Sequence, residues 1–293
     1  MKVAVYGQTF LDEDRTCMLE LMDELQKIHA EVYFEEKFNQ LVTDFTAGGV
    51  KGTFSQSEGL DSTFDMFVSF GGDGTMLRAV TFIKDMGIPI VGVNTGRLGF
   101  LSTFKKENVR KLVTEFVAGH YTVEERALVE VELNSGLDEF KGLNFALNEV
   151  TVSRKDTTSM IMVETYLNDE YLTSYWADGL IVSTPTGSTG YSLSCGGPVI
   201  APSAKSLVLT PIAPHNLNAR PLVIADDTRI RLKVSGREQT HLVSLDSRIA
   251  DIPNGKEINI KKSDFTIKMI EYKSESFLKT LRNKLLWGED RRN

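Results

Sequence analysis

The chain has 293 residues, of which 41% are hydrophobic and 25% charged, with a formal net charge of −7. These are globular values that exclude disorder, collagen-like repeats and a disulfide scaffold, and the acidic balance argues against a nucleic-acid partner. The only cysteines, Cys17 and Cys195, are too few for a stapled framework, so a reducing, cytoplasmic compartment is expected.

In chain order, residues 3–6 form a short apolar run that predicts a strand, too short and too quickly polar for a signal peptide. Met18, Leu21, Met22, Leu25 and Ile28 follow at helical spacing. Residues 31–34 predict a second strand, and the Gly- and Ser-rich stretch 46–62 a loop. A third strand over 66–70 ends in Gly71, a helix spans 76–86, a further buried strand spans 88–93, and a helix over 108–118 is stopped by Gly119. Alternation of apolar strands with helices implies a parallel sheet covered on both faces.

After Tyr121 the period changes. Val129, Val131 and Leu133 alternate with Glu130 and Glu132, and Val163, Thr165 and Leu167 lead into an Asn168-Asp169 turn. Ile230, Leu232 and Val234 alternate again, and Asn254-Gly255 is a hairpin signal. The last segment returns to helix, with Phe277, Leu278, Leu281, Leu285 and Leu286 on one stripe. The expected organisation is an α/β domain over 1–120 and a mostly β domain over 121–270. Residues 271–293 are expected to return to the first domain, their helix packing back on it.

The longest run without charge, residues 179–204, would be long enough to span a bilayer. It holds Pro185, Pro198, Pro202 and five glycines, which suits a ligand site better than lipid, so no membrane partner is expected. His29, His120, His215 and His241 form no metal-spaced cluster.

Gly71-Gly72-Asp73-Gly74-Thr75 lies where a strand ends and a helix begins, the place where α/β sheets bind ligands and helix N–H groups meet phosphate. A carboxylate there would repel phosphate, so it needs a reason, such as accepting a proton or binding metal; the plainer alternative is a helix N-cap. The sequence contains no P-loop, no Gly-x-Gly-x-x-Gly fingerprint and no protein-kinase signature. Other segments follow in order: Asn94-Thr95-Gly96-Arg97-Leu98-Gly99-Phe100-Leu101, Asn148-Glu149, Asp178-Gly179, the run from Thr184 through Gly190 to Ser194, Pro214-His215 with Arg220-Pro221, and Ser244-Leu245-Asp246-Ser247-Arg248. Together, over nearly the whole chain, they resemble the NAD kinases of bacterial type.

The resemblance implies a Rossmann-like, nucleotide-binding first domain, an NAD-binding second domain over 121–270, and transfer of the γ-phosphoryl of ATP to the 2′-hydroxyl of the adenosine ribose of NAD. It implies Asp73 as proton acceptor, with Gly74 beside it at the nucleotide and Arg78 as a phosphate contact. It implies dinucleotide contacts from Asn148, Glu149 and Asp178, and from Thr189, Gly190, Tyr191, Ser192, Leu193 and Ser194. Ala213 would line the same pocket with its backbone. A divalent cation, Mg²⁺, is the expected cofactor, and a homodimer or homotetramer the expected assembly. Three positions depart from the family pattern: Gly190 stands where many members have Ala, Trp176 where Arg is frequent, and Arg248 where Gln is frequent. Trp176 and Arg248 are kept among the expected binding residues. The alternatives are a diacylglycerol-type lipid kinase, which shares the Gly-Gly-Asp-Gly-Thr turn, and a non-catalytic NADP(H)-binding sensor. The first calls for a basic or apolar membrane-facing patch, and no polybasic run is present; the second has no need of a base at Asp73.

Overall fold

In the computed structural model, the described residues are 1–46, 48–133, 139–155, 159–272 and 276–286. The chain divides into two compact units, Met1–Glu125 with Ile267–Asn293, and Arg126–Thr266.

The first unit alternates β1 (Lys2–Gly7), α1 (Arg15–Lys27), β2 (Glu31–Glu35), α2 (Glu36–Thr46), β3 (Val50–Phe54), β4 (Met66–Phe70), α3 (Asp73–Ile83), β5 (Ile90–Asn94), β6 (Phe104–Lys105) and α4 (Val109–Val117). Strands β3, β2, β1, β4 and β5 are parallel and lie in that order. Side chains alternate across such a sheet. Val3, Val5, Phe34, Val68 and Val93 meet Met18, Leu21 and Leu25 of α1, Phe38 and Val42 of α2, and Leu112 of α4. On the other face Tyr6 packs against Phe82 of α3, the rings tilted with centres 4.9 Å apart. Helices thus cover both faces, as the uninterrupted apolar strands predict. The stretch 46–62, expected to be a loop, contains β3. Its burial is confined to Phe54 within an otherwise polar strand at the sheet edge, so hydrophobic pattern gave no signal there.

The second half of the chain is mostly β: β7 (Tyr121–Leu133), β8 (Phe145–Ala146), β9 (Glu149–Ser153), β10 (Ile161–Leu167), β11 (Glu170–Ala177), β12 (Gly179–Ser183), a short turn α5 (Tyr191–Ser194), β13 (Ser206–Ile212), β14 (Leu222–Ala225), β15 (Ile230–Ser235), β16 (Thr240–Leu245), β17 (Arg248–Pro253) and β18 (Glu257–Tyr272). Six antiparallel strands run in the order β14-β13-β12-β9-β16-β17. A second antiparallel group, β11-β10-β15-β18, supplies Val163, Leu232 and Ile258 to a core shared with Val150, Leu180, Leu209 and Val243. The Asn168-Asp169 turn forms as expected, both residues at positive φ. Asn254-Gly255 does not close a hairpin: β17 pairs with β16 whereas β18 pairs with β15, so this turn carries the chain from one sheet to the other. The turn residues specify a reversal but not which strand receives the chain. The end of β18 belongs to the first unit, where Met269 pairs in parallel with Ile90. Helix α6 (Phe277–Leu285) also lies there and sets Phe277 and Lys284 against the ring of Phe100.

Candidate active site

In the first unit, β4 and β5 pair from Phe67 opposite Ile90 to Phe70 opposite Val93, so the loops that follow them leave the sheet side by side. This is the carboxyl end of the strands, where α/β sheets bind ligands. Gly71 ties the loops by donating its N–H to the carbonyl of Val93 at 2.9 Å. Its φ of +147 and the 2.4 Å between an ideal Cβ and Thr75 Oγ1 admit only glycine.

Asp73 is not the helix cap. That place is taken by Gly72, at φ −84 and ψ −170, and the Asp73 carboxylate turns to the neighbouring loop. Its Oδ2 accepts the N–H of Phe100 at 2.8 Å, and its Oδ1 accepts those of Leu101 at 3.0 Å and Ser102 at 2.9 Å. A carboxylate has roughly four acceptor directions, so about one remains open, on Oδ2. Gly74 is exposed with nothing within 4 Å of an ideal Cβ, which leaves its backbone approachable. Arg78, one turn on, is exposed and hydrogen-bonds the phenol of Tyr6, whose pKa burial pushes up to about 12.

In the second unit, Asn148 and Glu149 sit at the start of β9. Asn148 Oδ1 and Glu149 Oε2 are buried without a partner among the described residues. An ideal Cβ on Gly190 would lie 3.2 Å from Glu149 Oε2 and 3.3 Å from Asn148 Nδ2, so the residue-190 turn closes directly over the pair. Burial, reinforced by the charge of Asp246 and opposed by the backbone N–H of Tyr191, pushes the Glu149 carboxyl up to about 8. Tyr191 is exposed, and its phenol is raised by burial, then by Cys195, Asp178 and Glu149. These groups therefore share one neighbourhood. Asp178, entering β12, pairs with Arg154 at 3.0 Å.

The other expected residues divide by what they touch. Ser192 is buried and shares a hydrogen bond of 2.8 Å with Thr210, and Thr189 Oγ1 donates to Thr186 O, so both hold the turn together. Leu193 is half-buried and Ser194 exposed. Ala213 is exposed at φ +43, following the Ile212 carbonyl that accepts the Asp178 N–H at 3.0 Å. Trp176, 49% exposed, lines a cavity of about 620 Å³ with Arg154, Met160, Met162 and Arg237. Arg248 faces inward: its guanidinium donates to the carbonyls of Leu143 and Phe145, over the Phe145 ring at 5.3 Å. These contacts direct its fork at the backbone carbonyls of Leu143 and Phe145.

The sequence motifs contain Gly99 and Asp246 but assign neither a role, and they give no sign of the amides of Phe100, Leu101 and Ser102. An ideal Cβ on Gly99 would fall 1.7 Å from Asp73 Oδ1. The available signal was the glycine itself, five residues past a strand end. Backbone donors leave no trace in side-chain identity.

Among the described residues, no three His, Cys, Asp or Glu side chains converge to hold a metal, and no helix is long and apolar enough to cross a membrane. Residues 12–121 match the ATP-NAD kinase N-terminal domain family, and residues 147–272 match the ATP-NAD kinase C-terminal domain family. An NAD kinase of Flavobacterium psychrophilum is 56% identical over 294 residues, covering 100% of both chains. One of Bacteroides fragilis is 39% identical over 292 residues, again with 100% of both covered. Of solved structures, an NAD kinase from Archaeoglobus fulgidus in complex with ATP matches with a TM-score of 0.74 at 28% identity, over 97% of each chain. A yeast NADH kinase complexed with NADH shares the fold, with a TM-score of 0.86 at 24% identity, over 99% of this chain and 89% of that one.

Proposed function

The chain belongs to the ATP-NAD kinase family, and from that membership we infer that it transfers the γ-phosphoryl of ATP to the 2′-hydroxyl of the adenosine ribose of NAD, giving NADP. A ribose hydroxyl is a weak nucleophile, and a positioned carboxylate removes its proton as the new P–O bond forms. Asp73 takes that role. The supporting observation is its carboxylate, immobilised by three amide donors with about one acceptor direction left for the hydroxyl. Asn148, with its orphaned buried Oδ1, and Glu149 hold the nucleoside part of the dinucleotide, with Gly190 and Tyr191 closing over them. Asp178 meets the nicotinamide side.

Phosphoryl transfer needs charge neutralisation, which a divalent cation supplies when bound to the triphosphate. Mg²⁺ ordinarily keeps phosphate oxygens and water among its ligands, and no three ligating side chains converge among the described residues, which fits a cation carried in with ATP better than a resident protein cage. Both cysteines are free thiols, in keeping with a cytoplasmic protein, and the assembly expected is a homodimer or homotetramer. Matches to both kinase domains leave the lipid-kinase reading without support.

The test is Asp73→Asn. The amide oxygen can keep the Leu101 and Ser102 bonds, but the side chain can no longer accept a proton at neutral pH. Single-turnover rate should fall roughly 10²–10⁴-fold while the NAD dissociation constant changes less than about threefold. Near-normal turnover would remove Asp73 as base, and an equal loss of NAD binding would make it a recognition group instead.

A further inference from the structure

Asp246 occupies the two-residue turn between β16 and β17, at φ +53, a conformation in which Asp is enriched among non-glycine residues. Its side chain is nearly buried. Oδ2 accepts the N–H of Leu147 at 3.0 Å, and Oδ1 accepts those of Asn148 at 2.9 Å and Glu149 at 3.2 Å. The backbone answers in the other direction, since Asp246 N–H donates to Glu149 O at 3.0 Å. Three successive amides therefore converge on one anion just beyond the last paired rung, Leu245 opposite Val150. Arg248 extends the same clamp by holding the carbonyls of Leu143 and Phe145, and its guanidinium lies 3.9 Å from Asp246.

We infer that Asp246 is a positioning residue for NAD recognition: by gathering the amides of Leu147, Asn148 and Glu149 it fixes where the Asn148 and Glu149 side chains point. The inference rests on the reading of that pair as the nucleoside contact. The Asn148 main chain is held on both sides, by Asp246 at its N–H and at its carbonyl by Thr184 N–H at 2.9 Å and Ser183 Oγ at 3.2 Å. Its side-chain oxygen, in contrast, has no protein partner among the described residues. The direction of that amide is inherited from the main chain, and Asp246 sets the main chain. No neutral side chain substitutes well. Asn offers one oxygen for two of the three amides and turns an NH₂ donor toward the third. The charged and titratable groups facing Glu149 are Asp246 from the β16–β17 turn, Tyr191 from α5 and Cys195 just after it, so loss of the Asp246 charge also relieves a repulsion on Glu149.

The experiment compares wild type, Asp246→Asn and Arg248→Lys by steady-state kinetics, with Asn148→Ala as the reference. Melting temperature and the pH profile of KM for NAD are measured on each. Asp246→Asn should raise KM for NAD tenfold or more, leave KM for ATP and kcat within about threefold, and move the Glu149-dependent inflection of the profile to lower pH. Arg248→Lys keeps the charge and loses the fork; it should raise KM for NAD by a smaller factor, which covers the case in which Asp246→Asn fails to fold. If Asn148→Ala raises KM for NAD while neither clamp variant does, the inference falls and the binding reading stands. If Asn148→Ala leaves NAD kinetics unchanged, both fall. Clamp variants in which kcat and both KM values deteriorate in step with melting temperature would show a merely structural role and overturn the inference.

Discussion

Gly99 lacks a side chain because Asp73 occupies the space one would fill. With Oδ1 at 1.7 Å from an ideal Cβ, an alanine there must expel the carboxylate or the loop that donates to it. Gly99→Ala should therefore lower kcat at least a hundredfold while the far-ultraviolet circular dichroism spectrum stays native; preserved turnover would mean that Asp73 need not rest in this cradle. Gly74 is the opposite case, with nothing within 4 Å of an ideal Cβ, so no steric exclusion demands a glycine there. Arg248, an expected binding residue, makes contacts that its position in the sequence does not foretell. A guanidinium beside a nucleotide-binding motif suggests a ligand contact, yet its donors are engaged by two backbone carbonyls that no sequence pattern reveals.

At the scale of elements, the strand–helix alternation of the first half and the period-two alternation of the second were legible because burial imposes them directly. Strand β3 escaped because only Phe54 of its five residues is buried. The Asp73 turn was legible from its glycines and carboxylate, whereas its partners, the amides at 100–102, arrive by the pairing of β4 with β5. Asp246 reaches Asn148 from 98 positions away through the adjacency of β16 and β9, a topological fact invisible to local pattern. Helix α6 adds a further dependence. Phe277 and Lys284 bracket the ring of Phe100, at 6.5 and 4.9 Å, and the Phe100 amide is one of the three that hold Asp73. Phe277→Ala should thus reduce kcat several-fold with little change in KM for either substrate. A kcat equal to that of wild type in a folded variant would show that the loop keeps its shape without the helix.

At the scale of the whole molecule, Glu149 couples folding to pH. Burial holds its proton up to about 8 in the folded chain, against the ordinary glutamate value of 4.5. Between those values the native state retains a proton that the unfolded chain has lost, so stability falls as pH rises through the window and levels off above it. The slope is at most about 1.4 kcal/mol per pH unit for this one group. Asp246, also raised by burial, is opposed by three amide donors and by Arg248, so we assign the retained proton to Glu149. Glu149→Gln should flatten the decline in melting temperature between pH 5 and pH 8, measured without ligand. An unchanged decline would place the proton on another group.

Phosphoryl transfer to NAD is measured by following product formation with the purified chain. ATP, NAD and Mg²⁺ are supplied, and an NADP-specific dehydrogenase reports phosphate placed on the 2′-hydroxyl. Parallel reactions offer diacylglycerol in vesicles as acceptor, or measure NADPH binding without ATP. NADP should form steadily and stop forming when either ATP or NAD is withheld, with no phosphate transferred to lipid. Nucleotide binding without NADP formation, or phosphate appearing on the lipid, would contradict the proposed activity.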